Sequence, residues 1–217
     1  MNLALFMTLL SFNEGGFKSE AQRLVNELKL RACETYAASP STFTPTRGRG
    51  AQYPIAFLKE WSGTLVRDEY KAYESVVTLH DRQAAGCLAH ARRKYDELLK
   101  DNQSPVAEQA IQRIAWIYRV ERELQNLTAE ERLAERQARA KPLWEALFAW
   151  LTLERHRVPD GSGTAKALDY SLNHWAALTA NLRDGNVPID NNHLENLMRP
   201  WAMGRKAWLF CGSRRGR

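Results

Sequence analysis

Gly63-Thr64-Leu65-Val66-Arg67-Asp68 is a run of apolar and β-branched residues opened by a glycine and closed by an aspartate. It reads as a short buried strand that delivers Asp68 at its C-terminal end. A second strand is expected over Gln83 to Cys87, running into a helix over His90 to Lys100. These two strands make the segment α/β. From Ser104 onward the apolar spacing turns helical for about 80 residues. Ser104-Pro105 supplies an N-cap followed by a proline at the first helical position, and Val106, Ala110, Ile111, Ile114, Ile117 and Tyr118 fall on one stripe. Thr128-x-x-Glu131 is a capping box, Pro142 should break or restart the helix it opens, and Leu143, Leu147, Phe148 and Leu151 continue an apolar face. A turn over Val158 to Gly163 precedes one more amphipathic helix, Thr164 to Arg183, which Asp184-Gly185-Asn186 ends. Short turns at Asn126 to Thr128 and Arg157 to Gly163 predict an antiparallel bundle. The expected fold class is α/β, predominantly helical.

Upstream, Ser19 to Tyr36 has helical apolar spacing with Ser19 as N-cap, and the prolines and glycines between Ser39 and Pro54 read as a loop and a boundary. Met1 to Phe12 is apolar but lacks a basic flank and is too short to span a bilayer, so neither a signal peptide nor a membrane anchor is expected. At 217 residues with 44% hydrophobic content the chain can bury a sizeable core. Cys33, Cys87 and Cys211 are too few and too scattered for a disulfide framework, which favours a reducing cytoplasm.

A second stretch carries the chemistry. Ile189-Asp190-Asn191-Asn192-His193-Leu194-Glu195-Asn196-Leu197-Met198-Arg199-Pro200 sets a glutamate one turn past a polar Asp-Asn-Asn step. A capped surface helix ended by Pro200 would look the same. The charge pattern argues for more. From Arg199 to the end there are six Lys/Arg and no Asp or Glu, which equals the net charge of +6 of the whole chain. Trp201, Trp208 and Phe210 are interleaved with those cations, a composition suited to phosphate contact and base stacking, although basic tails also occur simply solvated. A carboxylate beside such a segment is what a metal-dependent enzyme acting on a phosphodiester backbone needs. Asp68 and Glu195 are then two carboxylates on unlike elements, separated by a helical block, and their spacing alone does not show that they converge.

Cys87-x-x-His90 has the spacing of two zinc ligands, but a closed site takes four and the remaining Cys and His residues form no second pair. The alternative is a buried small hydrophobe at Cys87 and a helix start at His90. Arg92, Arg93 and Lys94 on that helix read either as a solvated face or as a nucleic-acid contact.

From about Phe43 onward the chain resembles the insertion sequence 66 family of bacterial transposases. The matching motifs, in order, are Thr44-Pro45-Thr46-Arg47, Phe57-Leu58, Gly63 through Tyr73, Gly86-Cys87-Leu88-Ala89-His90-Ala91-Arg92-Arg93-Lys94, Ile189-Asp190-Asn191-Asn192-x-x-Glu195-Asn196, Arg199-Pro200 and Gly204-Arg205-x-x-Trp208-Leu209-Phe210-x-Gly212-Ser213. The resemblance implies a DDE transposase: a ribonuclease-H-like core, an all-helical insertion before the final glutamate, and an Asp-Asp-Glu triad binding two Mg²⁺ ions. Asp68 would be the second aspartate and Glu195 the glutamate, both catalytic and metal-binding, and because their strand and helix would belong to adjoining parts of that core, the resemblance implies that they approach within metal-bridging reach. Arg92, Arg93, Lys94, Arg199, Arg205, Lys206 and Trp208 would contact DNA. The implied organisation is an N-terminal helical segment of unrelated sequence (1–38), a partial ribonuclease-H-like core (39–103), a helical insertion (104–186), and the glutamate helix with its basic tail (187–217).

The family's first aspartate lies upstream of the Thr-Pro-Thr-Arg region, and this chain has no Asp before Asp68. The expected Mg²⁺ site is therefore incomplete. The sequence reads as a transposase truncated at both ends, inactive by itself, with DNA as partner and a homo-oligomer or an intact transposase as further partners. The other reading is a non-catalytic DNA-binding or oligomerising remnant.

Overall fold

The computed structural model describes residues 3–5, 52, 55, 58, 63–68, 74–77 and 82–196. The helix expected over 19–36 and the basic tail from Arg199 lie outside these, as does the loop expected over 39–54 apart from Gln52. The described residues are mostly helical with a small sheet, a predominantly helical α/β chain. They divide into two compact units, one formed by 1–84 with 191–217 and the other by Ala85–Asp190.

In the first unit, β1 (Leu3–Leu5) pairs in parallel with β2 (Thr64–Arg67), in register Leu3 with Thr64, Ala4 with Leu65 and Leu5 with Val66. A strand thus stands inside the segment expected to be helical. The sheet order is β1-β2-β3, with β3 at Gln83–Gly86. The central position of β2 explains its unbroken apolar run: Leu65 and Val66 are both fully buried although they point to opposite faces. Gly63 enters β2 at φ 138°, a conformation open to glycine, and its carbonyl accepts the Gln83 N–H at 2.9 Å. A single turn of helix, α1 (Glu74–Val77), lies between β2 and β3.

The second unit is helical. Its long elements are α2 (Leu88–Asn102), α3 (Pro105–Glu123), α4 (Ala129–Glu135) continuing through a π-helical turn at Arg136–Ala140 into α5 (Lys141–Arg157), and α6 (Gly163–Asn173). Helices α2, α3, α5 and α6 form a ring in which each packs against two others. No strand interrupts residues 104–183, as the spacing predicted. Helix α2 belongs to this packing through Leu88, Ala91, Tyr95 and Leu98, and the Tyr95 hydroxyl lies 2.8 Å from the Ser171 hydroxyl on α6.

The helix starts are those written in the sequence. The Ser104 hydroxyl accepts from the Ala107 N–H, the Ser162 hydroxyl accepts from the Ala165 N–H at 3.0 Å, and the Thr128–Glu131 capping box closes in both directions. Pro142, lacking an N–H, is absorbed at the start of α5 directly after the π-helical turn.

Two expectations are corrected. The helix predicted over 164–183 ends at Asn173 and resumes as short α7 (Trp175–Leu178) and a 3₁₀ turn (Ala180–Leu182). The break places Trp175 edge-on to Trp144, with ring centroids 5.4 Å apart, and packs Leu178 over Gly86, where a β-carbon would sit only 3.1 Å from its side chain. On α5 the inward face is Trp144, Leu147 and Leu151, whereas Phe148 is 42% exposed and covers the Trp175 ring from outside.

Charge is buried in this unit as well. Arg136 is 2% exposed and forms a bidentate pair with Glu121, at 2.9 and 2.7 Å. The two Nη1 hydrogens are shared among the carbonyls of Asn181, Asp184, Gly185 and Val187, at 3.1, 3.2, 3.4 and 3.0 Å. Arg132, one turn earlier, donates to the carbonyls of Leu127 at 2.7 Å and Gly185 at 2.9 Å.

Candidate functional site

Asp68 directly follows β2, whose last residue is Arg67, and is half-buried. The position follows from the strand: the apolar residues fill the sheet and the first acidic residue falls where the ladder stops. Glu195 is half-buried on the helical residues 192–196, and its N–H donates to the Asn191 carbonyl at 3.0 Å. Both carboxylates belong to the same compact unit, although the whole helical unit separates them in sequence. Among the described residues no group of three or more His, Cys, Asp or Glu side chains is placed to hold a metal ion. Two divalent cations held about 3.5–4 Å apart need several converging anionic ligands.

Within the helical unit, Ile189 and Asp190 are bonded to residues remote in sequence. The Ile189 carbonyl accepts the Leu88 N–H at 3.0 Å, so a residue remote in sequence satisfies the first orphan donor of α2 where the Cys87 side chain makes no cap. The Tyr118 hydroxyl donates to Asp190 Oδ2 at 2.6 Å. Burial first, and then the charge and hydrogen bond of Asp190, push the Tyr118 phenol well above its ordinary value. The hydroxyl therefore keeps its proton and acts as the donor. In the sequence Tyr118 falls on an apolar stripe, and nothing marks out Arg132 and Arg136, because the segment 129–140 around them is charged and little buried.

Cys87 is 3% exposed and makes no disulfide, as the small-hydrophobe reading has it, and His90 lies in the first turn of α2. Arg92, Arg93 and Lys94 are exposed on α2. Arg92 lies 3.7 Å from Asp96, and the Lys94 ammonium stands over the Tyr170 ring at 5.5 Å from its centroid. Exposed pairs of this kind are worth about 0–1 kcal/mol, so a phosphate can displace them. The other expected DNA contacts, Arg199, Arg205, Lys206 and Trp208, lie outside the described residues. Among the described residues no helix is long and apolar enough to cross a membrane.

Residues 31–217 match the Transposase IS66 family. Over 184 residues the chain is 35% identical to the uncharacterized protein y4hP of Sinorhizobium fredii (strain NBRC 101917 / NGR234), which covers 77% of this chain and 33% of that protein. It is 34% identical over 177 residues to the uncharacterized protein y4jD of the same strain, covering 79% of this chain and 35% of that protein. The chain thus spans about a third of the length of the relatives it matches. No solved structure matches it. With the family match running through the Asp68 strand, the helical unit and the Glu195 helix, the chain belongs to the Transposase IS66 family.

Proposed function

We propose that this chain carries the part of a DDE transposase that runs from the second aspartate, Asp68, through a helical insertion to the glutamate, Glu195, on a ribonuclease-H-like core. By itself it binds DNA and does not cleave it. The observation that carries this reading is the family match across residues 31–217. The placement of Asp68 and Glu195 in one compact unit supports it, because carboxylates that share a site must belong to one body. In the reaction of the intact family, a water and then a 3′-hydroxyl oxygen would form a bond to a backbone phosphorus as a P–O3′ bond breaks and the displaced 3′-oxygen takes up a proton; bound Mg²⁺ would supply stabilisation of negative charge on oxygen. Asp68 is the first aspartate of the given sequence, so the family's first aspartate has no counterpart within it. Among the described residues no group of three or more His, Cys, Asp or Glu is placed to hold a metal ion, and no catalytic step is assigned to this chain.

Binding needs less. Six unopposed cations from Arg199 onward suit phosphate contact, with Arg92, Arg93 and Lys94 adding a second basic surface. If the six tail cations each neutralise one phosphate, log affinity should fall with log salt with a slope of about −5. The test is a nicking and strand-transfer assay with Mg²⁺ or Mn²⁺ alongside a salt titration of DNA affinity. No nicking and a steep salt dependence are expected. Metal-dependent cleavage abolished by Glu195→Gln would overturn the assignment of inactivity, and salt-independent affinity would overturn the electrostatic binding.

A further inference from the structure

We propose that the outer face of the helix pair α3 and α5 docks a second copy of this chain, with a two-fold axis running along the groove between the two helices. The pair is antiparallel. Glu121 and Glu123, near the end of α3, pair with Arg136 and Arg139 just before α5, whereas Arg113 lies over the Trp150 ring at 4.9 Å from its centroid. Trp116 stands one turn from Arg113 and Leu153 one turn from Trp150, so both flank that contact. They are 45% and 49% exposed. Ala146 and Ala149, also exposed, share the side of α5 that carries Trp150 and Leu153, at helical spacings of three, four and seven. Single exposed apolar side chains need no explanation, but an indole, a leucine and two small residues gathered beside one groove make a contact face. Phe148, also exposed, covers Trp175 instead and is not part of it.

The charges on this face select its occupant. As α3 runs from Arg113 to Glu123, its neighbours run back from Trp150 to Arg139. Arg119 is therefore level with the turn that holds Glu145, and Glu108 with the turn that holds Arg157. A rotation about an axis parallel to the helices keeps every level and exchanges the two helices, laying α3 of one copy over α5 of the other. Arg119 then meets Glu145 of the second copy, Glu108 meets its Arg157, and Trp116 lies over its Ala146, where a small side chain leaves room for the indole. Arg119 and Glu145 are exposed, and among the described residues neither makes an ion pair. Arg157, beside Glu154 at 2.9 Å, stays exposed as well. Opposite charges thus face each other at both ends of an apolar centre, the self-complementarity that a two-fold contact requires. A polyanion would instead meet Glu108 and Glu145 with its own sign.

The experiment is sedimentation equilibrium of the full chain over a concentration series without DNA or metal, so that its outcome does not depend on the reading of Asp68, Glu195 or the basic tail. A monomer–dimer equilibrium is expected. Trp116→Ala and Leu153→Asp should each raise the dimer dissociation constant about thirtyfold, because a two-fold contact loses the side chain twice. Arg119→Glu and Glu145→Arg should each weaken the dimer about tenfold, and the exchange Arg119→Glu/Glu145→Arg, which rebuilds the pair with its signs reversed, should return it to within about threefold of wild type. Helical circular dichroism identical to wild type separates a lost contact from a lost fold in these exposed-site variants. A chain that stays monomeric at every concentration would overturn the proposal. So would a dimer indifferent to Trp116→Ala and Leu153→Asp, or an exchanged pair weaker than either single reversal.

Discussion

Replacing Arg136 by Met keeps most of the side-chain volume and removes the guanidinium, which isolates the electrostatic part of its role. In the wild type the pair with Glu121 has side-chain exposures of 3% and 10%, so neither charge recovers much water when its partner leaves. Breaking a buried pair on one side costs about 3–5 kcal/mol, because the remaining carboxylate stays desolvated. The Asn181 and Val187 carbonyls lose their Arg136 donor in the same step. The thioether chain fills the space of the methylenes, so no large cavity is added, and about 4 kcal/mol is the expected loss. That is a large share of the roughly 5–15 kcal/mol by which a domain is stable. Urea unfolding followed by helical circular dichroism should show the midpoint falling by about 2 M if the slope is near 2 kcal/mol per M. The double variant Arg136→Met/Glu121→Leu should regain part of the loss, since no charge is then stranded. A loss in the single variant below about 1 kcal/mol, the range of a surface pair, would refute the reasoning. A double variant no more stable than the single would show that the stranded carboxylate is not what costs.

Two further outcomes are expected. Gly185→Ala should destabilise the helical unit by about 2 kcal/mol or more, because its β-carbon would meet backbone atoms of Ala129 that cannot swing aside, and an unchanged melting temperature would show that the chain there relaxes freely. Thr128→Ala should cost about 1 kcal/mol by opening the capping box at the start of α4. The Glu131 carboxyl is held below the usual carboxylate range by the Thr128 N–H and then by its hydroxyl, and a lowered folded pKa means its contribution is present above the unfolded value and disappears as pH falls through the folded one. The difference in melting temperature between wild type and Thr128→Ala should therefore shrink in acid, and a difference that grows on acidification would contradict the cap.

What the residues determined by themselves is whatever their near neighbours complete. Ser104, Thr128 and Ser162 start helices because each cap bonds an N–H only three residues away. The apolar stripe of α3 and the strand that ends at Asp68 follow from periods of 3.6 and from an unbroken apolar run, and the motifs around Asp68 and Glu195 carry the family. Tertiary structure decided the rest. Nothing near His174 in sequence ends a helix there; Trp144 and Gly86, packed against Trp175 and Leu178, do. Trp144 rather than Phe148 faces inward because an apolar arc wider than one stripe leaves the choice to the neighbours. Tyr118 reads as one residue of an apolar stripe and nothing singles out Arg132 and Arg136, because their remote partners, between Asn181 and Asp190, lie across folds of the chain that periodicity does not encode. A local hydrogen bond is determined by spacing, whereas a buried ion pair or a remote cap exists only once the helices around it have closed off the water.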